Sequence, residues 1–158
     1  MVAVTLSTQE NKIALFLKSV LTHNLTDPNS VARGSKPFVF KDAPEEEQTI
    51  FPYIIVEYDT GTDSSPVLDN SKTIAGLRTI TIRIISKGTS AIQRRDDLAD
   101  AIISTLLTPS SHDMDGVSIA QNNISIRNIN IMNNDVMNTD GEIIRVKELS
   151  AELRYYGA

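Results

Sequence analysis

The stretch that decides the fold reads FPYIIVEY at residues 51–58, TITIRIIS at residues 79–86 and GTS at residues 88–90, followed by a helical pattern over residues 91–107. The first segment predicts a strand that begins at a proline, because the first residue of a strand need not donate to the ladder. The second segment alternates polar residues with isoleucine, which is the period of a strand with one buried face. Ser90, or Thr89 before it, can cap the helix. The predicted order is strand, strand, helix.

The flanking segments predict one helix before this block and two strands after it. Ser7 and Glu10 have the spacing of a capping box, and the apolar residues that follow them recur at helical intervals up to Leu21. Residues 121–138 interleave isoleucine with asparagine, and residues 144–155 again alternate, so each predicts a strand. The Asp-Gly pair between the two segments is typical of a hairpin turn.

These elements predict an α+β fold. We expect a mostly antiparallel four-stranded sheet with two helices packed on one face, in the order α-β-β-α-β-β. Ile82, in the middle of the second strand, should then be buried beneath the helices. The parity of the apolar residues changes once in each of the last two strands, which predicts β-bulges at Arg127–Asn128 and at Lys147–Glu148.

Length, composition and charge limit the class of protein. The 158 residues fit a single domain, 1–158, with long loops at about 25–50 and 59–72. The chain has no cysteine, which excludes disulfides and thiolate metal sites. A net charge of -5 argues against a protein that binds nucleic acid by neutralising phosphates. The apolar runs are too short to span a bilayer, so we expect a soluble cytoplasmic product with no membrane partner.

Catalytic motifs are not evident in the sequence. It contains no phosphate-cradling glycine loop and no nucleophile elbow, so we expect a protein that is not an enzyme and holds no cofactor or metal. His112, Asp113 and Asp115 could ligate a metal, but they follow Pro109 in a polar segment where such residues commonly form turns. A small metal-dependent enzyme stays a distant alternative, favoured only if these side chains converge in a pocket.

The block at residues 51–107 resembles the tail terminator (tail completion) proteins of long-tailed phages. The resemblance rests on the proline-led strand, on the second strand running into Gly88-Thr89-Ser90, and on an amphipathic helix that carries Arg95, Asp97, Leu98 and Ala99. The first helix and the final hairpin match by element order only. The resemblance implies a structural virion protein that forms a homohexameric ring, caps the tail tube and joins the tail to the head or neck.

The same resemblance implies the partners and the location. The neighbours would be further copies of the chain, the tail tube protein and a head-side connector or head-closure protein, while DNA passes through the lumen without specific binding. The protein would be assembled in the host cytoplasm and reside in the tail or neck of the virion. A head-closure or connector protein of the same neck is the nearest alternative, because such proteins share the small size, the mixed α/β content and the ring.

Contacts in such a ring would come from the loops, the hairpin tip and the uncovered sheet face. The apolar triplet within the 25–50 loop forms either a short edge strand or a contact for a neighbour, and we expect it to lie outside the core. The three adjacent glutamates are most simply a solvated turn, but they could also complement a basic partner. The predicted interface residues are Phe38, Val39, Phe40, Glu45, Glu46, Glu47, Asp63, Asn134 and Asp135.

Overall fold

A computed structural model describes residues 9–44, 50–58, 67–68, 74–88, 90–137 and 141–157. These residues form three helices and seven strands. The helices are α1 Gln9–Asn24, α2 Ser30–Arg33 and α3 Ala91–Leu107; the strands are β1 Val39–Lys41, β2 Tyr53–Tyr58, β3 Val67–Leu68, β4 Ile74–Ser86, β5 Ile124–Asn133, β6 Val136–Met137 and β7 Ile143–Gly157.

The sheet is mostly antiparallel, as the sequence predicts, but it has more strands than the four expected. Its main path runs β1-β2-β4-β7-β5, while β3 pairs with β4 and β6 pairs with β7. β1 is parallel to β2, and the other pairs are antiparallel. The predicted strands correspond to β2, β4, β5 and β7, and the predicted helices to α1 and α3. β1 corresponds to the short edge strand that was one alternative for the apolar triplet, whereas the short elements α2, β3 and β6 were not expected.

Both long helices pack on the same face of the sheet. α1 lies over β1 and β2, and α3 lies over β4, β7 and β5. Between them Ile80, Ile82 and Ile84 of β4 are buried, with Ile82 fully inaccessible, which confirms its predicted position. Ser90 occupies the N-cap position of α3 with φ 62° and makes no side-chain capping bond among the described residues. Ser7 and Thr89, the other predicted capping residues, lie outside those residues.

One of the two predicted bulges is present. Arg127 pairs with Glu152 and Asn130 with Ser150, so that β5 gains one residue relative to β7 between these pairs. Asn128 takes up the extra residue with φ 55°, a left-handed conformation that asparagine tolerates. The bulge predicted at Arg127–Asn128 is confirmed.

The bulge predicted at Lys147–Glu148 is wrong, because β7 pairs with β4 without a shift from Arg145 to Gly157. The change of parity has another cause. Val146 is buried on the face opposite the helices, beside Ile85 of β4. Lys147 therefore points to the helix side, where its ammonium group lies 2.8 Å from the carboxylate of Asp96 in α3.

The expectation that the triplet Phe38-Val39-Phe40 lies outside the core is also wrong. Val39 and Phe40 begin β1, the edge strand of the sheet, and all three side chains are buried, with Phe40 only 7% exposed. Phe38 and Val39 belong to the core beneath the helices. Phe40 lies on the opposite face, edge-on to the ring of Tyr53 at a centroid distance of 6.0 Å.

A buried arginine orders the segment before β1. Arg33, at the end of α2, is 2% exposed and pairs with Asp27 at 2.7 Å. Its guanidinium also donates to the carbonyls of Ile50 and Pro52 and lies 5.5 Å from the ring centroid of Phe38. A single side chain thus satisfies both ends of the connection between α1 and β2, which accounts for the order within a segment that the sequence predicts as a long loop.

Candidate assembly surface

The tip of the β5–β7 hairpin is the most apolar part of the described surface. We call residues 131–137 and 141–143 the arm. Ten large apolar side chains are exposed among the described residues, and half of them belong to the arm: Ile131, Met132, Val136, Met137 and Ile143. Since monomeric proteins rarely expose contiguous apolar patches, this concentration marks the arm as a candidate for contact with a partner.

The arm is apolar on both of its faces. Val136 pairs with Ile144, and Met137 pairs with Ile143. Because successive residues of a strand point to opposite sides, Val136 and Met137 face away from each other. Residues 136–137 and 143–144 also extend past Ser86, where β4 ends its pairing with β7. The end of the arm at Val136, Met137 and Ile143 therefore projects beyond β4 and suits insertion between surfaces better than flat contact on one side, whereas Ile131 and Met132 pair with β7 within the main sheet.

The base of the arm is fixed to α3 by a charged cluster around Asp135. The Asp135 carboxylate lies 3.2 Å from a guanidinium nitrogen of Arg95 and 2.7 Å from one of Arg145. It also accepts the backbone N–H of Val146 at 3.3 Å, while the N–H of Asn134 donates to the carbonyl of Val146 at 2.9 Å. The hydrogen bond from Arg145 is the largest cause that lowers the pKa of Asp135. These contacts tie the base of the arm to α3 and to β7 within a single subunit.

Arg95 is the buried member of this cluster. It belongs to α3 and is only 5% exposed, whereas Arg145 is on β7 and is partly exposed. The sequence predicts Asn134 and Asp135 as interface residues, and the structure places both at the exposed base of the arm. The sequence does not predict that Asp135 pairs with a buried arginine of α3, because that contact joins residues 40 positions apart in the chain.

The sequence does not predict that the apolar side chains of the arm are exposed. Ile131 fits the pattern of a core-facing strand residue, and Val136 and Met137 lie in an asparagine-rich segment that predicts a turn. The signal that could have found them is the apolar pair itself, because solvated turns rarely contain two adjacent large apolar residues.

A second candidate surface is the face of the sheet that neither α1 nor α3 covers. At its centre Arg83 forms ion pairs with Glu57 and with Glu148, the latter at 2.9 Å. The hydrogen bond to Glu148 is the largest cause that raises the pKa of Arg83. Toward β1 the same face becomes apolar, with Tyr53 beside Phe40, and burial raises the pKa of the Tyr53 hydroxyl.

The segment that offers metal ligands in sequence forms a turn in the structure. One carboxylate oxygen of Asp113 accepts the N–H groups of Asp115 and Val117, each at 2.9 Å. His112 contacts His23 instead, with 4.5 Å between the ring centroids. Among the described residues, no three His, Cys, Asp or Glu side chains are grouped so as to hold a metal ion.

The remaining predicted interface residues, Glu45, Glu46, Glu47 and Asp63, lie outside the described residues. In the described part of the chain, no helix has the length and apolar content needed to cross a membrane.

Neither a family model nor a curated protein matches this chain. Among solved structures, a chain from the virion of a native gene transfer agent (GTA) particle is similar, with 14% sequence identity and a TM-score of 0.49. The alignment covers 92% of this chain and 98% of that chain.

Proposed function

We propose that this chain is a tail terminator protein of a phage-type particle. In this proposal six copies form a ring on the head-proximal end of the tail tube, stop its growth and provide the platform to which the head or neck attaches. The observation that supports it most is the block at residues 51–107. β2 and β4 are antiparallel neighbours, and β4 leads through the four residues 87–90 into α3, which packs back on the sheet.

The proposed mechanism is assembly without a chemical step. A ring that occupies the end of the tube blocks the addition of the next tube subunit, and its outer side then offers a new surface to the head-side connector or head-closure protein. The chain carries a net charge of -5. An acidic lumen would let DNA slide through without adhering, because like charges repel the phosphates.

The proposal keeps Asn134 and Asp135 as contact residues, together with Glu45, Glu46, Glu47 and Asp63. It no longer uses Phe38, Val39 and Phe40 for direct contact, because their side chains are buried within the subunit. The arm takes their place, since it leaves large apolar side chains exposed, and the uncovered sheet face stays part of the proposed contact.

Deletion of the gene from its parent particle, followed by electron microscopy, tests the proposal. A terminator deletion should give tails of uncontrolled length without heads, and gold-labelled protein added to purified tubes should bind one end. Tails of normal length beside heads that have lost their DNA would instead identify a head-closure protein. Normal particles in the deletion strain would refute both assignments.

A further inference from the structure

We infer that the arm of one subunit docks on the opposite end of a second copy of this chain, at an apolar surface formed by Leu15, Leu107 and Met114. We call that surface the receiving surface. The inference rests on the proposed homo-oligomer and names the contact that builds it.

Within the described part of the chain, the receiving surface contains three of the five exposed large apolar side chains that lie outside the arm. The backbone N–H of Met114 donates to the hydroxyl of Ser19 in α1 at 3.1 Å. Leu15 precedes Ser19 by four residues, so it lies on the same side of α1 and next to the position of Met114. Leu107 is the last residue of α3, and the segment that carries Met114 is tied to the same turn of the helix, because the hydroxyl of Ser111 donates to the carbonyl of Thr105.

The receiving surface is fixed as firmly as the arm. The side-chain amide of Asn24, at the end of α1, donates to the carbonyl of His112 at 2.9 Å. The hydroxyl of Ser111 donates to the carbonyl of Thr105 in α3 at 2.7 Å. Contacts from two helices therefore hold the loop that presents Met114, and neither apolar surface must be reorganised for docking.

The two surfaces lie at opposite ends of α3. The arm is tied to Arg95 in the second turn of the helix, whereas the receiving surface begins at its last residue, Leu107. Twelve residues of helix place these positions about 18 Å apart along the axis. A contact between two different surfaces is heterologous, and repeating it with one rotation produces a closed ring or an open filament. A two-fold dimer through a single patch would leave one surface uncovered.

The apolar area also fits a protein partner of this kind. The five exposed arm side chains present an area on the order of 500 Å² in total, divided between the two faces of the arm. A stable interface buries about 800 Å² on each partner, so an arm whose two faces are both covered supplies most of one side and its charged base supplies a polar rim. Because the same chain presents a second apolar surface of matching character, a further copy is the occupant we assign.

Cysteine cross-linking tests the contact directly, because the chain has no cysteine of its own. Met137→Cys and Met114→Cys, each 66% exposed in the parent, would be mixed as purified single variants at high concentration and oxidised mildly. We expect the mixed disulfide to exceed by at least fivefold that formed between Met137→Cys and Val31→Cys, whose position is 97% exposed and outside both surfaces. The double variant carrying both cysteines should give a ladder of covalent oligomers.

Equal yields from the two mixtures, or the absence of a ladder, would overturn the inference. Val136→Asp should abolish the ladder in the double variant without changing the melting temperature, because its side chain is exposed. A ladder that survives Val136→Asp would equally overturn it.

Two further outcomes separate this inference from the proposed function. Specific cross-links in a protein that binds no tail tube would uphold the contact and refute the terminator role. Tube capping that Val136→Asp leaves unchanged would refute the contact and leave the terminator role standing.

Discussion

Substitution of Asp135 by alanine should destabilise the fold by more than the loss of a surface ion pair. The change removes the carboxylate that lies 3.2 Å from Arg95, 2.7 Å from Arg145 and 3.3 Å from the N–H of Val146. Arg145 is 31% exposed and can be resolvated, so its lost contact costs about 0–1 kcal/mol. The Arg95 side chain is 6% exposed and cannot be resolvated. Without Asp135 this buried charged donor has one partner fewer, which costs about 1–3 kcal/mol.

Arg95 keeps its contact with Asp96 at 3.1 Å, which limits the loss. We therefore expect Asp135→Ala to lower the free energy of unfolding by about 2 kcal/mol and the melting temperature by roughly 4–8 °C. Urea and thermal unfolding, monitored by circular dichroism, would measure both. Hydrogen exchange should show faster exchange in the arm, because its base is no longer tied to the helix.

The matched controls decide whether the burial of Arg95 is the cause. Arg145→Ala removes the exposed partner and should cost about 0–1 kcal/mol. Arg95→Met replaces the buried guanidinium with an apolar side chain of similar length, and in that background Asp135→Ala should cost no more than the control. An equal cost of Asp135→Ala in both backgrounds would refute the reasoning.

Four other substitutions test the fold. Ile82→Asp places a carboxylate in the core and should leave the domain unfolded, whereas a soluble variant with an unchanged melting temperature would contradict the sheet assignment. Phe40→Ser should cost about 3 kcal/mol in urea unfolding, because the ring is buried; no loss would restore the loop interpretation. Lys147→Met should destabilise the fold at neutral pH and lose that effect in acid. The hydrogen bond from Lys147 is the largest cause that lowers the pKa of Asp96 from 3.8. A carboxylate whose pKa is lowered in the folded state stabilises the fold above its ordinary pKa and stops doing so as the pH falls through the folded value. An effect of Lys147→Met that persists at pH 2 would contradict this. Asn128→Val should cost about 1–2 kcal/mol and Asn128→Gly little, because a β-branched residue is strained at φ 55°; equal costs would show that the bulge geometry is not the reason.

Local patterns in the sequence predict the parts of the fold that local chemistry determines. The alternation in β4 reports one buried face, and Ile82 is accordingly inaccessible. The parity change in β5 is a real bulge. The same signal in β7 fails, because a parity change has two physical causes. In β7 the strand is regular, and Lys147 reaches the helix side as one half of an ion pair with Asp96.

The elements that the sequence predicts only as one alternative, or not at all, depend on long-range contacts. β1 is stable because it joins the edge of β2, and the segment before it is ordered because Arg33 reaches Ile50 and Pro52. Neither contact leaves a local period that could be read from the chain. Arg95 likewise reads as an exposed helix residue among other charges, and only the placement of Asp135 beside it explains its burial.

Long-range contacts also bear on how a small acidic protein could assemble without a chemical step. A flexible apolar hairpin would lose conformational entropy on binding, and each ordered residue would weaken the contact by about 1 kcal/mol or more. The arm avoids that cost because Asp135 links it to a helix that is itself part of the core. The charged cluster around Asp135 therefore matters for assembly through the support it gives the arm, in addition to any contact that Asp135 makes with the neighbour. If so, Asp135→Ala should weaken arm-to-receiving-surface cross-linking while leaving every apolar contact residue in place, and a variant that loses stability but keeps its cross-linking yield would show that the arm needs no such support.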